Sequence, residues 1–166
     1  MGLIVVATDG SRAADAALDQ AIALARETDD VVAVITVWRA LQGDYGLAYP
    51  SAALLNELLD AERSHAEQAL EQARKRVEAA GVAVETRLAT GDPAERICGF
   101  AEERGARLIA MGTHGYGPVV SFLVGSVSGA VIKRARLPVL VVRDPEAERE
   151  TRRPGGLTSA ASRRPS

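Results

Sequence analysis

The sequence is poor in cysteine, in long apolar runs and in net charge, and each shortage narrows what the protein can be. Cys98 is the single cysteine of 166 residues, which excludes an intrachain disulfide and a cysteine-based zinc site. The apolar stretch at residues 3–7 is too short for a signal peptide or a membrane span. A net charge of -2 lacks the basic excess that is typical of nucleic-acid binders. We therefore expect a soluble cytoplasmic protein with neither a membrane nor a nucleic acid as its partner.

The motifs of several fast enzymes are also missing. A P-loop, G-x-x-x-x-G-K-[S/T], needs a lysine, but the chain has only Lys75 and Lys133, and neither belongs to its glycine-rich stretch. A nucleophile elbow read from Gly125 would have Val127 at the nucleophile position, and a dinucleotide fingerprint needs glycines after the first strand, where only Gly10 occurs. Neither histidine belongs to a metal-ligand spacing. We therefore assign no catalytic residue and no metal ligand, and expect binding without rapid turnover.

The chain does contain a regular alternation of strand and helix patterns. Short apolar runs rich in β-branched residues predict five strands, and the third is mixed enough to suit the edge of a sheet. No hairpin signal joins two strands, so parallel pairing through helical crossovers is the simplest topology. The expected fold class is therefore α/β with an open five-stranded parallel sheet. The predicted strands are residues 3–7, 31–38, 82–88, 107–111 and 139–142, and the helices begin near residues 12, 51, 93 and 126.

Helix starts and stops are clearly marked. Ser11 is placed to cap the first helix, and Asp92, followed by a proline, is placed to cap the third. The longest helix starts at Ser51 and ends before Gly81, where a glycine is well suited to stop it. We expect one apolar stripe of this helix to be buried, namely Leu54, Leu55, Leu58, Leu59, Ala66, Ala69, Leu70, Ala73 and Val77.

A glycine-rich stretch joins the fourth strand to the fourth helix. Its first group is Gly112-Thr113-His114-Gly115, and its second begins at Gly125-Ser126. Glycine allows close approach to the backbone, and the free N–H groups of a helix's first turn attract anions. The stretch therefore predicts a phosphate cradle made mainly of backbone. With a strand order of 3-2-1-4-5, which the residues alone do not fix, this cradle and Asp9 would share the crevice at the switch point of the sheet.

Four landmarks in order make the sequence resemble the universal stress protein family. Gly112-Thr113-His114-Gly115, nine residues and Gly125-Ser126 match the G-x-x-G-x9-G-[S/T] motif of its nucleotide-binding members. The opening strand with its acidic turn at Asp9, the helix entry at Gly91-Asp92-Pro93-Ala94 and the last strand after Pro138 match as well. The resemblance spans about residues 2–143 and implies the Rossmann-like fold of that family.

The resemblance implies an adenine nucleotide, ATP, with any Mg²⁺ carried by the nucleotide. Asp9 and its neighbours would lie beside the base and ribose, Val37 would pack on the adenine, and the glycines would expose N–H groups to the phosphates. Tyr116 stands where many members have a basic residue. The residues assigned to the site are Ala7, Thr8, Asp9, Val37, Met111, Gly112, Gly115, Gly125, Ser126 and Val127.

The expected function is that of an ATP-binding stress-response switch with slow or no hydrolysis. The family also implies a homodimer through the last strand, 139–142, besides an unknown protein partner. Two alternatives stay open: a nucleotide-free interaction scaffold of the same fold and a flavin-binding electron carrier. Asp9 could equally serve only to cap the first helix. Residues 1–143 form the predicted domain, and 144–166, rich in Arg, Pro, Ser and Gly, form a predicted disordered tail.

Overall fold

The computed structural model describes residues 2–38, 51–113 and 125–144. These residues form five strands and four helices that alternate along the chain. In chain order they are β1 (Leu3–Ala7), α1 (Arg12–Thr28), β2 (Val31–Trp38), α2 (Ala52–Ala79), β3 (Val84–Thr90), α3 (Pro93–Glu103), β4 (Leu108–Gly112), α4 (Ser126–Arg134) and β5 (Val139–Val142).

The strands form one parallel sheet in the order β3-β2-β1-β4-β5, which confirms the predicted fold class and strand order. β1 is central, and its residues Val6 and Ala7 pair with Val34 and Ile35 of β2 on one side. On the other side, Ala7 pairs with Met111 of β4. The carboxyl ends of β1 and β4 are therefore neighbours, as the crevice prediction requires.

Each face of the sheet carries its own core cluster, because successive side chains of a strand point to opposite faces. Ile4 and Val6 of β1 belong to the cluster that includes residues of α1 and α2. Val5 and Ala7 belong to the cluster that includes residues of α3 and α4. Cys98 is buried in the second cluster, where burial raises the pKa of its thiol and favours the protonated form.

The predicted helix caps are present. Ser11 Oγ accepts a hydrogen bond from Ala14 N at 3.3 Å, and Ser51 Oγ accepts one from Leu54 N at 3.2 Å. Asp92 Oδ1 accepts from the N–H three residues later at 2.8 Å, as in a capping box. In each of α1, α2 and α3, the side chain of the residue just before the helix thus accepts a hydrogen bond from a backbone N–H of the first turn.

The prediction of a buried stripe along all of α2 was wrong for its first half. Leu54 and Leu58 are 45% and 40% exposed, and the buried residues begin only at Ala66. A helix of 28 residues is about 42 Å long, whereas an eight-residue strand such as β2 spans about 26 Å. The neighbouring sheet is too short to cover the whole helix.

β3 also begins two residues later than predicted, because Val82 N donates to Val77 O at the end of α2.

A buried carboxylate ties together the amino ends of the strands, opposite the crevice. Asp30 accepts hydrogen bonds from Gly2 N at 2.6 Å, Thr28 Oγ1 at 2.6 Å and Arg107 Nε at 2.5 Å. The hydrogen bond from Thr28, helped by those from Gly2 and Arg107, holds the pKa of Asp30 below its usual value although burial acts to raise it. This cluster fixes the start of β1 and β4 relative to the end of α1.

Candidate functional site

A cavity of about 310 Å³ opens at the carboxyl ends of β1, β2 and β4. All but one of the residues that the sequence assigned to the site line it, and the exception, Gly115, lies outside the described residues together with His114 and Tyr116. The lining residues are Ala7, Thr8, Asp9, Ser11, Ala14, Ile35, Val37, Pro93, Ile97, Met111, Gly112, Thr113, Gly125, Ser126, Val127 and Ser128.

The turn after β1 is held by its own side chains. Thr8 Oγ1 accepts from Gly10 N at 3.1 Å, and Asp9 Oδ1 accepts from Ser11 N at 3.0 Å. Gly10 has a φ of 79°, a conformation that favours glycine. Since Ser11 caps α1, the carboxylate of Asp9 shapes the turn and does not cap the helix. Asp9 itself is exposed and lines the cavity.

One part of the cavity wall is apolar and comes from three elements. Val37 of β2, Met111 of β4 and Ile97 of α3 line this part of the wall. Ile35, two residues before Val37 and on the same face of β2, lines it as well. Sequence reasoning missed Ile35 and Ile97, because apolar spacing marked them only as core residues, and it missed Pro93, because that residue was assigned only to the start of α3. Such a wall can accept a flat, weakly polar ring.

Gly112, the last residue of β4, is required by close packing against α1. A Cβ at this position would lie 2.7 Å from Ala13 C and Ala14 N, both backbone atoms, and this is closer than real contacts allow. The next residue, Thr113, donates its N–H to Val142 O of β5 at 2.9 Å. The absence of a side chain at Gly112 therefore allows the end of β4 to pack directly against the first turn of α1.

α4 starts differently from the other helices. Its N-cap is Gly125, and no side chain among the described residues makes a capping hydrogen bond there. Ser126 is exposed, and Val127 is partly exposed. The positive end of the helix dipole and the first-turn N–H groups of α4 therefore lie at the cavity, and no side chain of the part that the structure describes caps them. This arrangement is chemically suited to an anion.

Thr113 and Gly125 are held together at the cavity. Gly125 N donates to Thr113 O at 2.8 Å. The hydroxyl of Ser128, a residue only 2% exposed, lies 3.1 Å from both Thr113 O and Gly125 O. Sequence reasoning missed the contact between Thr113 and Ser128, because it joins residues 15 positions apart and leaves no local signal.

Three further features of the described residues concern an ion pair, metal ligands and membrane helices. Arg12, in the first turn of α1, forms an ion pair of 3.1 Å with Asp144, which follows β5. Within ranges 2–38, 51–113 and 125–144, no group of three His, Cys, Asp or Glu side chains is placed to bind a metal ion. The same ranges contain no helix that is both long and apolar enough to cross a membrane.

Sequence comparisons agree with the resemblance drawn from the motif. The model of the universal stress protein family matches residues 1–143. Universal stress protein MJ0531 of Methanocaldococcus jannaschii is 41% identical over 147 residues, which are 87% of this chain and 84% of that protein. Universal stress protein YxiE of Bacillus subtilis is 32% identical over 144 residues, which are 84% of this chain and 97% of that protein.

Solved structures have the same architecture. MJ0577 of Methanocaldococcus jannaschii superposes with a TM-score of 0.71 at 30% identity, covering 86% of this chain and 95% of its own. A universal stress protein in complex with cAMP gives 0.63 at 28% identity, with 85% and 96% covered. One from Archaeoglobus fulgidus in complex with dAMP gives 0.59 at 27%, with 86% and 97% covered. Since the family model and these relatives match over most of the sequence, the chain belongs to the universal stress protein family.

Proposed function

We propose that the protein binds an adenine nucleotide, ATP in the cell, and acts as a regulator whose state or partner changes with the bound ligand. One observation carries the proposal: a single cavity combines an apolar wall with a helix start that no described side chain caps. The wall suits an aromatic base, and the helix start suits a phosphate. The relatives in complex with cAMP and dAMP support this class of ligand.

The base and ribose belong at the β1 side of the cavity. Val37 and Met111 would pack on the two sides of the adenine, and Ala7 and Thr8 would border it. The carboxylate of Asp9 can accept hydrogen bonds from ribose hydroxyls, whereas its negative charge repels a phosphate. The exposed position of Asp9 at the end of β1 supports this role.

The phosphates belong at the α4 side. Gly112 and Gly125 let the end of β4 and the start of α4 pack closely beside the cavity, and Ser126 offers an exposed hydroxyl. Gly115, which lies outside the described residues, keeps the phosphate-binding role that the motif gives it. The N–H groups of Ser126 and Val127 lie in the first turn of α4, where they point out of the helix start. Any Mg²⁺ would be held mainly by the phosphates, as is common for this ion with nucleotides.

Slow or no hydrolysis is part of the proposal. Phosphoryl transfer is accelerated by cations on the transferring group and by a residue that orients the nucleophile. Asp9 is the only ionisable side chain among the described residues that line the cavity, and the proposal places it on the ribose. Such a site would retain its ligand and report its presence.

A homodimer through β5 is the proposed assembly. β5 lies at the edge of the sheet and consists of four apolar residues, Val139–Val142, none of them fully buried. Pro138 O and Val142 O both accept hydrogen bonds from the β4 side, so the peptide groups of Val139 and Val141 point outward. An apolar edge of this kind is normally paired, and a second copy of β5 would pair it.

The first experiment identifies the ligand. The purified protein is denatured and any released small molecule is analysed by mass spectrometry, after which ATP, ADP, AMP and cAMP are titrated by calorimetry. We expect an adenine nucleotide to be released or bound. A released flavin would instead support the electron carrier, and a folded protein that binds none of these nucleotides would support the interaction scaffold.

A matched pair of variants tests the geometry. Asp9→Ala should weaken ATP binding about tenfold, the typical value of one hydrogen bond to a charged group. Asp60→Ala removes an exposed carboxylate on α2 and should leave ATP binding unchanged. Thermal unfolding checks that the turn after β1 remains folded without the Asp9–Ser11 contact. Equal ATP affinities of the two variants would contradict the placement of the ribose.

A further inference from the structure

Ser128 is a cavity residue that belongs to no part of the motif from which the site was predicted. It lies in the first turn of α4, three residues after the N-cap Gly125. A serine at this position can hydrogen-bond back to the N-cap carbonyl, and Ser128 Oγ does lie 3.1 Å from Gly125 O. The same hydroxyl lies 3.1 Å from Thr113 O, which belongs to another segment of the chain.

The carbonyl of Thr113 is contacted from the α4 side by two donor groups. Gly125 N donates to it at 2.8 Å, and the Ser128 hydroxyl, whose single proton is shared between Thr113 O and Gly125 O, lies 3.1 Å from it. On the opposite side of the same residue, Thr113 N donates to Val142 O at 2.9 Å. Thr113 is thus fixed between β5 and α4. Because Ser128 is 2% exposed, water competes little for its hydroxyl.

The contact joins the two halves of the proposed phosphate cradle. One half is Gly112 and Thr113 at the end of β4, and the other is Gly125–Val127 at the start of α4. A Cβ on Gly125 would overlap the carbonyl oxygen of Thr113, so the halves already lie at the closest approach that the backbone permits. The separation of the donors that would meet the phosphates depends on this contact.

We infer that Ser128 is a positioning residue that holds the two halves of the cradle together and thereby favours ligands that carry phosphates over the bare nucleoside. The inference rests on the proposed nucleotide-binding function. Ser128 acts through Thr113 and Gly125 and needs no contact with the ligand. The apolar wall and Asp9 lie outside the contact, so binding of the base and ribose does not depend on it.

The test compares ATP, AMP and adenosine binding to the wild type, Ser128→Ala and a control, Ser64→Ala, which removes an exposed hydroxyl on α2. Loss of one buried hydrogen bond predicts about fivefold weaker binding of ATP and AMP to Ser128→Ala. Adenosine binding should stay the same. A general loss of structure would weaken all three ligands alike, so the ratio of ATP to adenosine affinity separates positioning from stability.

A second measurement needs no variant. Amide hydrogen exchange of the ligand-free wild type should show the N–H of Gly125 to be protected, since it is donated to Thr113 O beneath a buried hydroxyl. An unprotected Gly125 amide, or an unchanged ratio of ATP to adenosine affinity in Ser128→Ala, overturns the role of Ser128. A folded wild-type protein that binds none of the three ligands overturns the nucleotide-binding function itself.

Discussion

Replacing Gly125 by alanine is the most direct test of the contact between β4 and α4. The φ of Gly125 is −54°, which alanine adopts readily, so any effect comes from space and not from backbone strain. The added Cβ would overlap Thr113 O and would approach Thr113 C to 3.2 Å. Thr113 cannot turn aside as a flexible side chain would, because its N–H and carbonyl are both hydrogen-bonded. The start of α4 must therefore move away from β4.

The cost can be estimated from two contributions. Inserting a methyl group into a well-packed contact costs about 1–3 kcal/mol. Breaking the 2.8 Å bond between Gly125 N and Thr113 O adds about 1 kcal/mol. A loss of about 2–4 kcal/mol leaves a domain of ordinary stability folded, and at about 2–4 °C per kcal/mol it lowers Tm by about 4–16 °C. Since the cradle halves separate, we expect ATP binding to fall more than tenfold.

The assay combines urea unfolding with titration of ATP on the same preparations. Gly99→Ala is the matched control, because an added Cβ on this α3 residue meets no atom within 4 Å. Alanine is the better helix former, so the control should gain up to about 1 kcal/mol and retain ATP binding. Wild-type stability together with wild-type ATP affinity in Gly125→Ala would refute both the close approach and its role in the cradle.

Three other substitutions test two buried polar side chains and the edge strand β5. Asp30→Asn should lower the free energy of unfolding by about 2–3 kcal/mol at neutral pH, because Gly2 N, Thr28 Oγ1 and Arg107 Nε lose the charged carboxylate that accepts their hydrogen bonds. The pKa of Asp30 is lower in the folded protein than in the unfolded chain, where it is near 4, so the ionised side chain stabilises the fold above that pH and this stabilisation is lost as pH falls. The free energy of unfolding of Asp30→Asn, measured with urea, should therefore depend less on pH in that range than that of the wild type. Thr36→Val should raise the free energy of unfolding by about 1 kcal/mol, because the buried Thr36 hydroxyl has no hydrogen-bond partner among the described residues; a loss of similar size would count against this. Val141→Pro removes an outward N–H from β5 and should turn a dimer into a monomer in sedimentation velocity, whereas Thr86→Lys on the opposite edge strand β3 should not.

The fold could be predicted largely because its signals are local. Runs such as 3–7 and 31–38 are apolar on both faces, and a parallel sheet covered by helices buries both faces of its inner strands. The burial of α2 could not be predicted in the same way. Leu54 and Leu58 have the spacing of a buried stripe, yet whether a stripe is covered depends on the length of the sheet beside it. That length is a property of other segments.

The candidate site, too, has residues that local sequence signals reveal and residues that only contacts between segments reveal. Thr8, Asp9, Gly112 and Gly125 are conspicuous in the sequence, because turns and helix starts depend on residue types at fixed positions. Ile97 and Ser128 are not conspicuous. Ile97 has the spacing of an ordinary core residue, and the contact of Ser128 with Thr113 exists only once β4 and α4 are packed together. Residues that act across segments therefore needed the three-dimensional structure.

The N-termini of two helices, α1 and α4, lie at the cavity, and they favour one orientation of a bound nucleotide. α1 and α4 both begin there, and both have the positive end of a helix dipole. At α1, however, Ser11 Oγ already accepts from Ala14 N, and the carboxylate of Asp9 stands in front of the turn. A phosphate placed at α1 would meet a negative charge and a satisfied donor, whereas at α4 it would meet donors that no side chain of the described residues caps. In the proposed complex the phosphates would therefore lie at α4, which would leave the base and ribose at the end of β1.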